Sequence, residues 1–282
     1  MFELLLAPTI ACLVLTGIHC YLGIHVLMRE VIFVDLALAQ IAALGLTVGI
    51  AFGYASESQA AYTCSLVFTL LGALAFAVGR FRDRRVSQEA IIGIVYAVSA
   101  AIVILILSQT AVERDHVERM LTGRLLFVDW PEVVETTLLY AAVGMVHVAL
   151  RRPFLRISMA SGERLPWTMR NVLLDFIFYA TFGLVVTNSV RMAGVLLVFS
   201  FLVVPASCAF LFFQRVRTRL FAGWAFGLAA SAAGLLISAE LDLPTGASIV
   251  VAFGGLFLLC TCAYGIAIQT GRLGRSERAI TK

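Results

Sequence analysis

The chain has 282 residues, 61% of them hydrophobic and only 13% charged, with a formal net charge of +4. A water-soluble domain of this length has too little interior to hide that much apolar surface, so lipid is the natural solvent. The modest positive charge implies no nucleic-acid partner unless it is concentrated on one surface.

A helix needs about 20 predominantly apolar residues to cross a bilayer. Nine such runs follow one another, at about 4–28, 31–53, 59–79, 88–108, 132–150, 170–189, 192–213, 220–239 and 246–268. The breaks at Arg29-Glu30 and near Arg191 are short, so eight to ten spans is the range the pattern allows. The first run has no basic segment ahead of it and exceeds the apolar core of a signal peptide, so it reads as a retained span. The second carries Asp35 near its start and Gln40 five residues later. Both side chains are expensive in lipid, which argues for a protein-lined face. Small residues in the same run (Ala37, Ala39, Ala42, Ala43, Gly45) suit close helix approach, within one chain or across a dimer.

Glu89 opens the fourth run and Glu240 closes the eighth, both positions where water is within reach. An external loop, 108–131, mixes charges with a Leu-Thr-Gly break and a Trp-Pro re-entry, and predicts a short helix at the surface. Met145 and His147 fall near one end of the fifth run, where packing is expected. The connection 151–169 is basic and contains a small-residue turn, Ala160-Ser161-Gly162. Asp175 sits one turn into the sixth run, as a carboxylate favoured by the helix dipole. In the seventh run Pro205 frees a backbone carbonyl, which is tolerated only where protein or a water-filled cavity satisfies it. Ala193, Gly194, Ser200, Ala206, Ser207 and Ala209 make this run rich in small residues as well. These two runs therefore read as the interior of a transporter. A polar tail, 269–282, closes the chain.

Basic residues fix the orientation. With nine spans, 17 of the 21 Lys and Arg residues fall on one side and four (Arg114, Arg119, Arg124, Arg191) on the other. The positive-inside rule then predicts an all-α polytopic membrane protein with its N-terminus outside and its C-terminus in the cytoplasm. Topology accounts for the positive charge without a nucleic acid. All of 1–282 reads as a single transmembrane domain.

The chemistry is mostly exclusion. The chain has no Walker A loop, no His-Glu-x-x-His and no Gly-x-Ser-x-Gly, so it is not expected to be an enzyme, and any ATP is used by a partner. The six cysteines lie mostly inside apolar runs and read as small hydrophobes. His19 and His25, six residues apart, are turned by about 120° and cannot share one ion from an ideal helix.

Four segments in order carry a resemblance. Gly23-Ile-His-Val-Leu-Met-Arg29-Glu-Val-Ile-Phe-Val-Asp35 keeps the Gly, Arg and Asp spacing of the permeases of zinc, manganese and iron ABC importers. EAIIGIVYAVSAAIVILIL (89–107) and ERMLTGRLLFVDWPEV (118–133) are similar to that family's following helix and its external Leu-x-Gly element. VRMAGVLLVFSFLVVPASCAFLF (190–212) resembles its most recognisable segment. The resemblance implies a homodimeric permease in a bacterial plasma membrane, with the ion path near the dimer interface. It also implies a cytoplasmic ATPase subunit and an extracytoplasmic solute-binding protein as partners. The transported divalent metal is the cargo, and no cofactor is bound by the chain. Candidate pathway residues are Asp35, Gln40, His25, Pro205 and Ser207, with Asp35 as the candidate metal contact. The loop 151–169 takes the place of the coupling helix, with Arg156, Ala160, Gly162 and Glu163 as candidate docking residues.

One departure stands out. The family often places a histidine four residues after the aspartate, on the same helix face. Here position 39 is alanine, and Gln40 follows. An amide binds transition metals more weakly than imidazole, so the cargo is a free divalent ion or, alternatively, a metal chelate or other small solute. A non-ABC secondary carrier or membrane scaffold is the reading of another class. A carrier should show paired broken helices with deep ionisable residues, and only one run here has a clear proline.

Overall fold

A computed structural model describes residues 2–56, 58–82, 86–108, 124–160 and 166–270. The described residues are helical, with no β-strand among them. We label the helices α1 (Phe2–Arg29), α2 (Val34–Ala51), α3 (Gln59–Arg82), α4 (Gln88–Ser108), α5 (Trp130–Ala149), α6 (Arg151–Met159), α7 (Met169–Ala193), α8 (Val195–Phe212), α9 (Val216–Leu241) and α10 (Thr245–Gln269). All but α6 are long and apolar enough to cross a membrane, which makes nine candidate spans among the described residues.

The two short breaks in the hydropathy pattern are backbone events. Glu30 adopts φ 57° just after α1, and Gly194 adopts φ 77° between α7 and α8. Left-handed backbone stops a helix, and glycine does so without the Cβ penalty. Asp242 (φ 51°) ends α9 in the same way. At the other ends, Asp129 caps α5 by accepting from the Glu132 amide at 2.9 Å, and Thr168 caps α7 through the Asn171 amide at 3.3 Å. Proline lies inside two helices, Pro8 in α1 and Pro205 in α8, one more than the sequence reading took as clear.

The helices pack as two groups. α2 lies against α3 and α4, while α1, α8, α9 and α10 pack on one another. α7 joins the groups, touching α3 and α2 on one side and α8 on the other. The small residues of α2 serve packing within the chain. Ala37, Ala39, Ala42, Ala43 and Gly45 are all buried, and a Cβ at Gly45 would stand 2.7 Å from the Cys64 carbonyl oxygen of α3. On α1, Gly23 lies directly against the backbone of Leu202 in α8, with Ala206 beside it. Such contacts replace the missing hydrophobic drive between helices in lipid. The outward faces of α4 (Ile94, Ile104, Leu105) and α10 (Val251, Leu258, Leu259) are exposed apolar surface, as a bilayer requires.

The end of the external connection differs from expectation. A 3-10 turn, Leu125–Phe127, occurs where a surface helix was predicted, and its Leu125 and nearby Val128 are buried. The Arg124 amide donates to the Met192 carbonyl at 2.9 Å, pinning this segment to the end of α7. The rest of the predicted helix, 109–123, lies outside the described residues, as does the tail from 271.

Candidate functional site

Tyr21, His25 and Arg29 recur every four residues and so form one stripe on the last turns of α1. Helices α5, α6 and α7 close over that stripe. Arg29 donates from Nη1 to Asp175 Oδ1 of α7 at 2.8 Å, and both side chains are fully buried. Its Nε donates to Ser158 Oγ of α6 at 2.9 Å, and the guanidinium lies 3.7 Å from the Phe178 ring centroid. The Ser158 hydroxyl also pairs with His25 Nδ1 at 2.8 Å. His147 of α5 completes the cluster, reaching Tyr21 Oη at 3.3 Å and Thr181 Oγ1 at 2.8 Å.

A buried charge is tolerable only when paired and hydrogen-bonded, and Arg29 is paired with Asp175 and bonded to Ser158, while its Nη2 and the His25 Nε2 are buried without a hydrogen-bond partner. The arrangement corrects two sequence expectations. Asp175 is no hydrated helix-start carboxylate, and Arg29 is no loop cation, because each neutralises the other inside the bundle. His147 behaves as expected and packs against Phe154 and Phe178, but Met145 is exposed on the outer face of α5.

A second buried polar layer lies nearer the start of α1. His19 Nε2 meets Ser189 Oγ of α7 at 3.1 Å, and Ser189 also pairs with Tyr140 of α5. His19 Nδ1 is within 2.8 Å of the Leu15 carbonyl. His19 and His25 therefore have separate partners, as their helical offset predicted.

The remaining candidate residues group around α2 and α8. Phe33 at the cap of α2, with Leu36, Gln40 and Leu44 along it, forms a partly exposed stripe, and along α8, Leu196, Phe199, Val203 and Ser207 form another. The stripes meet where Phe33 stacks on Phe199, with centroids 6.3 Å apart and planes 11° from parallel. Gln40 and Ser207 each lie two turns along their helices from this contact and are partly exposed. Asp35 is buried at the first turn of α2, and its Oδ1 has no hydrogen-bond partner. Glu89 of α4 lies within electrostatic range of Asp35. Its Oε1 accepts from the Phe33 amide at 3.2 Å, while Oε2 is buried without a partner. Glu89 is thus only partly open to water, with one oxygen shielded, where full solvation was expected; Glu240 is exposed as expected.

His25 and Pro205 stand elsewhere. His25 belongs to the Arg29 junction, and Pro205 is buried against Gly223 and Gly227 of α9, with α8 continuous through it. Among the described residues, no three His, Cys, Asp or Glu side chains gather into a group able to hold a metal. The arrangement sets one buried carboxylate, Asp35, near the half-buried Glu89, with no closed metal cage among the described residues.

On α6, Phe154, Ile157 and Ser158 point into the bundle while Arg151, Arg152, Arg156 and Met159 face out. Arg156 reaches back to Asn171 Oδ1 at 3.4 Å, and Asn171 Nδ2 donates to the Pro166 carbonyl at 3.0 Å. Ala160 directly follows α6, whereas Gly162 and Glu163 lie outside the described residues. The sequence reading missed Ser158, the Arg29–Asp175 pair and Glu89. The four-residue spacing of Tyr21, His25 and Arg29 was the available signal, since three polar groups on one helix face need protein partners.

Comparison with known proteins places these features. The model of the ABC 3 transport family matches residues 1–263. The manganese transport system membrane protein MntC of Halalkalibacterium halodurans is 24% identical over 262 residues, 90% of this chain and 85% of that protein. The high-affinity zinc uptake system membrane protein ZnuB of Haemophilus influenzae is 25% identical over 266 residues, 92% of this chain and 97% of that protein. The fold is shared with the solved structure of PsaBC from Streptococcus pneumoniae in complex with Fab. That likeness has a TM-score of 0.70 at 21% identity and covers 92% of this chain and 91% of the other.

Proposed function

Because the chain belongs to the ABC 3 transport family, we propose that it is the membrane-spanning permease of an ABC importer that carries a divalent transition metal into the cytoplasm. The observation that carries this reading is the family match along a chain whose described residues hold nine candidate spans. The names of two relatives, one for manganese and one for zinc, support a metal as cargo, and iron joins them through the resemblance described above. ATP is hydrolysed by a separate subunit, since the chain carries no Walker A loop. A solute-binding protein delivers the ion from outside, and two copies of the chain form the pathway between them.

In this reading the partly exposed stripes of α2 and α8 line the route, with Gln40 and Ser207 on its wall. Asp35 supplies the carboxylate that meets the ion. Hard and borderline cations favour such oxygen ligands, and weak contact serves conduction, because a site that held the ion tightly would not release it. Outward-facing Arg151, Arg152 and Arg156 on α6, together with Ala160, Gly162 and Glu163, dock the ATPase.

Deletion of the chain tests the reading, with cellular zinc, manganese and iron measured under limitation for each. We expect one metal to fall and to recover on complementation with the chain. Unchanged levels of all three would contradict a free-ion cargo and favour a chelate or other small solute. Complementation with Asp35→Asn should reduce uptake roughly tenfold, in line with the loss of a metal-facing group.

A further inference from the structure

The Arg29 junction does more than neutralise a buried charge. α6 has nine residues, and its buried face meets the bundle through Phe154, Ile157 and Ser158. Of these, Ser158 bonds twice to α1, at Arg29 Nε and His25 Nδ1. Arg29 in turn is paired with Asp175 of α7, at a depth where neither side chain meets water. Parting a buried cation from its partners is strongly unfavourable, so α1, α6 and α7 are constrained to move together.

The movement has a physical route to the α2–α8 face. Gly23, on α1, presses against the Leu202 backbone of α8 with no side chain between them. On α7, Gly183 lies against Thr69 of α3 and Leu38 of α2. The Gly23 contact with α8 and the Gly183 contact with Thr69 of α3 are tight, while Leu38 of α2 lies in ordinary van der Waals contact at Gly183, and packed interfaces shift as units rather than deform continuously. Displacement of α6 therefore reaches α8 through α1 and α2 through α7.

We propose that the Ser158–Arg29–Asp175 junction converts displacement of α6 into movement of the helices that line the transport face, with Ser158 and Arg29 as positioning residues. This deepens the permease reading and rests on it.

The test uses the permease purified with its co-purifying ATPase subunit, reconstituted in proteoliposomes and supplied with its solute-binding protein. Manganese, zinc and ferrous ions are supplied in turn, and metal transported per ATP hydrolysed is measured. Ser158→Ala removes the shared hydroxyl and leaves the Arg29–Asp175 pair in place. We expect metal moved per ATP to fall by about fivefold or more. Ser158→Thr, which retains a hydroxyl, should recover most of it. Parental transport per ATP in Ser158→Ala overturns the inference, as does failure of Ser158→Thr to improve on Ser158→Ala. If Ser158→Ala does not assemble, Arg29→Lys takes its place: it keeps a cation for Asp175 but loses the guanidinium fork that also reaches Ser158. Parental transport per ATP in that variant overturns the inference as well. A parental complex that moves none of the three metals overturns the metal reading and this inference with it. Failure of the variants alone overturns only the junction's role.

Discussion

Arg29 shows how a single residue changes meaning between sequence and structure. Counted by hydropathy it belongs to a loop, yet it is paired with a carboxylate 146 residues away at full burial. Asp175→Leu should therefore cost about 3–5 kcal/mol, because it strands the guanidinium in the bundle. Adding Arg29→Met should restore most of that loss, and thermal unfolding in detergent measures both. Gln40 is the other decisive residue. Gln40→His, next to the position where the resemblance implies a histidine, should shift ion preference towards zinc, because imidazole suits that ion better than an amide does. Competition between metals in an uptake assay reads the shift, and an unchanged preference would make Gln40 a packing residue. Asp35 and Gln40 were legible because polar groups are conspicuous in an apolar run. Ser158 was not, since a lone hydroxyl in a polar connection carries no signal until the fold puts Arg29 beside it.

At the scale of helices, the hydropathy pattern located every described span, because a bilayer imposes a length and an apolar content on each. The weak boundaries were weak for a physical reason. Glu30 and Gly194 end helices by backbone conformation, which leaves little trace in hydropathy. Pairing between helices was less legible, since small residues announce a close approach without naming the partner. Gly23 supplies a test of that pairing. Gly23→Ala forces its new methyl onto the Leu202 carbonyl of α8 and should destabilise by about 1–3 kcal/mol. Gly17→Ala, in the same helix with open space at its Cβ, should be neutral or slightly stabilising through helix propensity. Equal effects of the two substitutions on thermal stability would mean that α1 and α8 do not pack as described.

The whole molecule reads as one bundle in which a short amphipathic helix, α6, is bonded to the spans from beneath. Charge assigns 17 of 21 basic residues to one side, which under the positive-inside rule is expected to be the cytoplasm. A reporter fused after Lys282 should accordingly fluoresce as a cytoplasmic fusion, and an alkaline phosphatase fusion at the same point should be inactive. The family was legible because motifs at 23–35, 89–107, 118–133 and 190–212 fall in order. The metal was not, because the described residues hold no closed cage to read it from. The most direct test of the central claim is metal accumulation in proteoliposomes that hold the chain with its ATPase subunit and are supplied with its solute-binding protein, followed with and without ATP. The account predicts ATP-dependent accumulation of zinc, manganese or iron that stops when the ATPase is omitted. Accumulation that proceeds equally without ATPase or ATP would contradict it.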